Sequence, residues 1–449
     1  MNPSRLLAAL IHAVVLLSLS PTASAQDVVR VRDVVRQHVD TKTFMGSVLV
    51  ARDGEVLLSE GFGFANLEWQ IPNTPTTKFR LGSITKQFTA AAILLLAERG
   101  KLSLEDPIEK HWSEAPAAWD SVTIYHVLTH TGGIPNLTSF PEFRTFKLSP
   151  SPVEKTVALF KDRPLEFVPG SQMRYSNSGY VLLGYLIERI SGQRYAEFLR
   201  DNIFEPLGMH DTGYDAHAEI IERRAAGYSP SPNGFANAPY IDMTIPGGAG
   251  GLYSTTEDLL RWTQGLFGGT LLTSASLEKM TTPFKDDYAL GVASTERNGR
   301  KVISHGGGIE GFNTSLMYYP AEKLTIVVLG NVNGGAPSQI ADRAGAVMFG
   351  EPVALPALRT EVQLPPDVLG DYAGAYPLAP NFTLTVTVVN GGLISRTTGQ
   401  AEVPFYAEAK DKFFARALDA QIEFVRGDDG NVNGLILRQG PTEMRASRQ

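Results

Sequence analysis

The order of apolar and polar positions predicts the elements one after another. Gly46-Ser-Val-Leu-Val-Ala-Arg-Asp-Gly54, followed by Glu55-Val-Leu-Leu-Ser59, predicts two short strands around an Asp53-Gly54 turn. Residues 84–99 contain neither Gly nor Pro and are rich in Ala and Leu, with Gly100 just beyond. They predict a helix that starts at or beside Ser83 and stops where glycine allows a left-handed exit. Residues 180–190 predict a second, buried helix ending near Gly192, and residues 312–319 a strand. The β-branched run 323–329 predicts a strand in the middle of a sheet. Strands at both ends with helices between predict an α+β fold, in which one antiparallel sheet is completed by segments distant in sequence and lies beside a helical region.

The pattern changes after residue 350. Pro352, Pro356, Pro365 and Pro366 mark residues 351–366 as a linker, because proline lacks a backbone donor and disfavours helix before it. Phe382-Thr-Leu-Thr-Val-Thr-Val388 then alternates large apolar residues with threonine, as a half-buried strand does. Residues 412–416, 422–426 and 432–437 predict further strands, the last after an Asp428-Asp429-Gly430-Asn431 turn. Residues 26–350 thus read as one domain and residues 367–449 as a small all-β, barrel-like domain. At the other end, Arg5 precedes an apolar run over residues 6–19, Pro21 breaks it, and Ala23-Ser24-Ala25 follows. Residues 1–25 therefore read as a signal peptide, predicting a periplasmic or secreted protein. The run is shorter than the ~20 residues that span a bilayer, so no stable membrane anchor is expected after cleavage.

Composition narrows the chemistry. The 449 residues include no cysteine, which excludes disulfides, thiolate zinc sites, iron–sulfur clusters and a cysteine nucleophile. The formal charge of −7, without a long basic run, argues against nucleic acid as a partner. Three short motifs remain. In Ser83-Ile-Thr-Lys86 the lysine is one turn from the serine, so its amine reaches the hydroxyl, and the helix N-terminus favours a developing oxyanion. The same string also arises as a helix cap beside a solvated lysine. In Tyr175-Ser176-Asn177 alternate side chains face one way, so Tyr175 and Asn177 share a cavity while Ser176 turns aside. An adjacent lysine ammonium favours the phenolate, which then takes a proton from serine, whereas a buried tyrosine more commonly just finds a hydrogen-bond partner. Asn177 offers an amide to orient Lys86 and to bond substrate. His305-Gly306-Gly307-Gly308 precedes a strand. Glycines admit substrate close to the backbone, and an edge strand with free N–H groups completes an oxyanion hole, with Gly308 beside Ser83 the expected pair. A surface glycine turn carrying a histidine would look the same.

In this order and separation, Ser-x-x-Lys, Tyr-x-Asn and His-Gly-Gly resemble the serine penicillin-recognising hydrolases. The resemblance is to the branch holding class C β-lactamases, D-alanyl-D-alanine carboxypeptidases and D-aminopeptidases. Phe79-Arg-Leu-Gly-Ser-Ile-Thr-Lys-Gln-Phe88, His126-Val-Leu-Thr-His-Thr-Gly-Gly-Ile134, residues 250–259 and Tyr288-Ala-Leu-Gly291 extend it over about residues 28–350, and the distal module resembles a lipocalin-like extension. The resemblance implies an acyl-enzyme on Ser83 with Lys86 and Tyr175 sharing the acid–base work, substrate held by Asn177, His305, Gly306, Gly307 and Gly308, and no cofactor or metal. One departure matters. β-Lactamases of this kind carry Lys-Thr-Gly where this chain has His305-Gly306-Gly307, and losing a fixed cation costs about 1.5–3 kcal/mol with anionic substrates. That favours cleavage of amides or esters: D-amino-acid or peptidoglycan-type peptides, or small esters. A true β-lactamase and a penicillin-binding sensor or inactive scaffold are the rival readings, and oligomer formation through the C-terminal domain is compatible with all three. His126 and His130 are four apart, but Val127 breaks the metalloprotease pattern and a structural role is expected. No Gly-x-Ser-x-Gly elbow occurs. Asp242, Gly247 and Gly248 could border the pocket, and family likeness places Asn331 near substrate.

Overall fold

A computed structural model describes residues 25–231, 234–353, 359, 361–380, 382–389, 391–398, 402–416, 420–439 and 442–449. Residues 1–24 of the expected signal peptide and Pro356 of the linker lie outside that set. Among the described residues no helix is long and apolar enough to cross a membrane.

The chain starts with helix α1 (Ala25–Asp40) and strands β1 (Gly46–Arg52) and β2 (Glu55–Phe62). The β1–β2 turn places Asp53 at φ 53° and Gly54 at φ 85°, the two positive values a tight hairpin turn requires. The helical region follows, with α2 (Thr85–Glu98) and α3 (Asn177–Ser191) at its centre. The chain then forms a two-stranded hairpin, β3 (Tyr228–Ser231) and β4 (Gly234–Asn237). It returns to the main sheet through β5 (Ala293–Arg297), β6 (Arg300–Ile309), β7 (Phe312–Tyr319) and β8 (Leu324–Gly330), and ends the region with α4 (Ala336–Met348). The strand order is β5-β6-β7-β8-β1-β2, antiparallel throughout, with Gly46 opposite Gly330 where the N-terminal hairpin joins. This is the expected α+β arrangement. β8 is buried at every position because helices cover both faces: α1 and α4 pack on one, the helical region on the other.

Both predicted helices form with the expected ends. α2 stops at Glu98, before Gly100 at φ 66°, and α3 is closed by Gly192 at φ 74°. α2 is buried from Thr85 to Leu96, which explains its continuous apolar sequence without a polar stripe. A single 3-10 turn, Gly82–Ile84, leads into it and carries Ser83.

That turn is anchored by a buried carboxylate. Asp215 is fully buried and accepts from Arg80 Nε and from Arg224, each at 2.8 Å, fixing the Phe79–Arg80 segment just before Ser83. Asp215→Asn leaves two guanidinium groups facing a neutral amide. It is expected to cost about 3–5 kcal/mol and to lower the melting temperature by roughly 5–10 °C. Thermal unfolding followed by circular dichroism checks this, and an unchanged midpoint would show that the pair contributes nothing.

The C-terminal residues form an eight-stranded meander in sequence order, β9 (Gly374–Ala379) to β16 (Thr442–Ser447), with β12 (Glu402–Ala409) and β13 (Lys412–Ala415) in its middle. Its ends approach each other where Gln449 N donates to Ala375 O at 2.9 Å. The interior is filled by Tyr372, Tyr376, Phe413 and Phe424, with adjacent ring centroids 4.5–5.8 Å apart. The module is thus a packed near-barrel with an aromatic core.

Candidate active site

Ser83 sits on a 3-10 turn whose entry only glycine permits. Gly82 has φ 55°, and a Cβ there would lie 2.8 Å from Gly308 N. A Cβ on Gly307 would lie 1.9 Å from Leu81 O. The two glycine-containing segments therefore press backbone to backbone, which brings Gly308 beside the serine turn although 225 residues separate them in sequence.

Lys86 lies wholly buried one turn beyond Ser83. Its Nζ donates to Ser83 Oγ at 3.1 Å, Asn177 Oδ1 at 2.8 Å and Ala249 O at 2.8 Å. Asn177 is the first residue of α3, so the helix start aims its amide at the lysine. Tyr175 precedes that start, with its ring centroid 4.7 Å from Lys86 Nζ and its phenol within hydrogen-bonding reach of Ser83. Ser176 turns away into the protein, as the alternation predicts. Burial drives the two ionisable partners toward neutrality. It holds the Lys86 amine well below its ordinary value and pushes the Tyr175 phenol above its own. Burial therefore opposes both charges of the expected phenolate–ammonium pair, while the three acceptors around Lys86 Nζ match the three donors of an ammonium.

Two groups around Tyr175 lie in segments that carry the family resemblance but were not among the expected site residues. His130 stacks 4.3 Å from its ring and accepts from Ser176 N at Nδ1 over 3.2 Å. It lies past the end of the Ile124–Leu128 helix, at φ 59°, so it does not share a helix face with His126, and the two form no ligand pair. Tyr288 Oη donates to His305 Nε2 at 3.0 Å, since Nδ1 of the same ring donates to Gly306 O. Burial brings the His305 imidazole down to about 4, so it is neutral at pH 7.

In front of Ser83 lies a cavity of about 470 Å³, with Ser83, Asn177 and Gly308 on its wall. Its apolar lining comes from Leu137, Phe143, Val181, Ile241 and Ile245, and Glu310 is the one ionisable side chain among the lining residues. Glu310 is paired with Lys147. Of the expected His305–Gly308 contacts, Gly308 alone lines this cavity. Gly306 accepts from His305 Nδ1, and Gly307 provides the close packing on Leu81. β6 is not a sheet edge, since β5 pairs with it, but that pairing ends at Ser304 and leaves residues 305–309 with one side uncovered toward the serine turn. Asn331 is buried and bonded to Phe64 O and Ala226 O, so it is structural, and Asn333 occupies the cavity wall instead. Asp242 is likewise occupied internally by Thr244 and Tyr240, and Gly247 and Gly248 line a neighbouring cleft.

Such a cluster, a hydroxyl bonded to a buried amine beside a phenol and facing an apolar cavity, is equipped for nucleophilic acyl transfer. Comparison with known proteins agrees. Residues 31–347 match the Beta-lactamase family model, and residues 358–448 match a domain of unknown function, DUF3471. A penicillin-binding protein of Bacillus subtilis (strain 168) is 30% identical over 430 residues, covering 89% of this chain and 94% of the relative. The octameric penicillin-binding protein homologue from Pyrococcus abyssi superposes with a TM-score of 0.66 at 28% identity, covering 93% of this chain and all of that one. A D-stereospecific amidohydrolase from Streptomyces sp. superposes with a TM-score of 0.60 at 26% identity, covering 74% of this chain and 100% of that one.

Proposed function

This chain belongs to the beta-lactamase family and is a serine hydrolase, and from that premise we propose that it cleaves amide or ester bonds through an acyl-enzyme on Ser83. The observation that carries the proposal is the 3.1 Å bond between Ser83 Oγ and a fully buried Lys86 at the foot of the cavity. Ser83 Oγ attacks the carbonyl carbon while its proton passes to Lys86 in its deprotonated form, which burial makes accessible. The carbonyl oxygen gains charge facing the N–H groups of Ser83 and Gly308. The Tyr175 phenol, kept protonated by burial, gives its proton to the departing nitrogen or oxygen as that bond breaks, and the Lys86 proton then restores the phenol. Water repeats the sequence on the ester and frees Ser83.

The substrate in this reading is a D-amino-acid amide, a peptidoglycan-type peptide or a small ester, rather than a β-lactam. The penicillin-binding relatives and the D-stereospecific amidohydrolase support the class. The third motif supports the exclusion, because neutral His305 offers a substrate carboxylate no fixed cation and the ionisable lining residue, Glu310, is an acid. Export is part of the same proposal, supported by the apolar run at residues 6–19 and the small residues before Gln26. The test is turnover of nitrocefin against D-phenylalanine amide and p-nitrophenyl acetate. Nitrocefin is expected to be the poor substrate, turned over about 10–100-fold more slowly than the amide or the ester. Fast nitrocefin hydrolysis with inert amide and ester would overturn the substrate assignment.

A further inference from the structure

The C-terminal near-barrel touches the catalytic region at a point that leads to the cavity. Tyr406, on β12, is buried and donates from Oη to Ser231 O on β3 at 2.7 Å. Arg416 lies over its ring at 3.8 Å and is itself held by Glu361 at 2.7 Å, so the phenol is fixed from its own side. The β3 strand continues the connection. Tyr228 N donates to Asn331 O at 3.0 Å, and Asn333 N donates to Tyr228 O at 2.9 Å. Ser229 Oγ donates to Asn333 Oδ1 at 3.2 Å.

Asn333 spends its amide on the turn that carries the cavity wall. Its Oδ1 accepts from Gly311 N at 2.7 Å, and its Nδ2 donates to Ile309 O and to Asn313 Oδ1, each at 3.1 Å. Ile309, Glu310 and Asn333 all line the cavity in front of Ser83. Behind this turn the hairpin approach leaves no room to shift, since a Cβ on Gly227 would lie 2.9 Å from Gly311 Cα.

We propose that the C-terminal near-barrel buttresses the substrate cavity: Tyr406 fixes β3, and β3, through Ser229 and Asn333, sets the position of the Ile309–Glu310 wall and so the acyl groups the cavity accepts. Among the described residues, the barrel contributes none to the cavity lining. Its influence passes through hydrogen bonds that fix one wall, which makes Tyr406, Ser229 and Asn333 positioning residues. The proposal rests on the reading of the Ser83 cavity as the substrate site.

The experiment uses the full chain and two esters that differ only in acyl size, p-nitrophenyl acetate and p-nitrophenyl phenylacetate. Tyr406→Phe and Ser229→Ala each remove one link without touching the cavity. Each is expected to leave acetate turnover within about twofold and to lower kcat/KM for phenylacetate about fivefold, mostly through KM. The double variant is expected to lose about the same fivefold, because either break uncouples the wall. An additive loss of about 25-fold, equal losses on both esters, or no loss on either would overturn the proposal. Thermal unfolding of each variant separates a shifted wall from a damaged fold. If the parent protein shows no Ser83-dependent turnover of p-nitrophenyl acetate, the function proposed above fails, and this inference falls with it.

Discussion

Ser83→Ala is expected to lower kcat/KM for p-nitrophenyl acetate by about 10⁴–10⁶-fold and to abolish covalent labelling by a fluorophosphonate probe. The size of the effect follows from what remains. The variant keeps the Gly308 backbone, the cavity and Asn177, which bind and polarise a carbonyl, but no atom is left to form the acyl bond. The side chain is only partly buried and sits on a turn secured by Gly82 and Arg80, so the fold should survive. Lys86 loses one of three acceptors and retains Asn177 Oδ1 and Ala249 O. An unchanged circular dichroism spectrum together with lost labelling assigns the nucleophile. Labelling that persists in the variant would place it elsewhere.

Lys86→Met is expected to lower kcat for the same ester by about 10²–10⁴-fold, the usual scale for removing a positioned base. The pH profile gives the sharper reading. Burial lowers the Lys86 pKa, so the reactive neutral amine gains population as pH rises through that lowered value. In the parent protein kcat/KM should climb with pH and level off below the ordinary lysine range of about 10.4. Lys86→Arg should lose the ascending limb with the activity, because a guanidinium stays protonated throughout. Stopped-flow acylation measured from pH 5 to pH 10 checks both variants. A parent rate that falls as pH rises across this range would mean that the protonated amine is the working form, and Tyr175 would have to be the base.

Much of the site was legible because it is local. Ser83 and Lys86 are one helical turn apart in any helix, and Tyr175 and Asn177 share a side in any extended segment, so spacing alone pairs them. The hairpin at Asp53-Gly54, the helix ends at Gly100 and Gly192 and the alternation at 382–388 were legible for the same reason: each is set by a few neighbouring residues and one steric rule. What was not legible depends on chain segments meeting. Ala249 O as the third acceptor of Lys86 is a backbone atom, and no side-chain identity announces it. Asn331 and Asn333 look equally available in sequence, but one turns into the protein and the other onto the cavity, a choice set by the exit from β8 and its contact with β3. His126 and His130 suggest a helix face until the chain leaves the helix at residue 128.

The sequence by itself determined the reacting groups and their neighbours within a turn of helix or a pair of strand positions, together with the α+β character and the appended all-β module. Only the tertiary structure decided the protonation bias of Lys86 and Tyr175, the neutrality of His305, the meeting of Gly82 with Gly308 and the link from Tyr406 to the cavity wall. The physical reason is that local geometry follows from backbone sterics, which act between near neighbours. Desolvation and close packing depend on which distant segments exclude water together, and that is fixed only when the whole chain has folded.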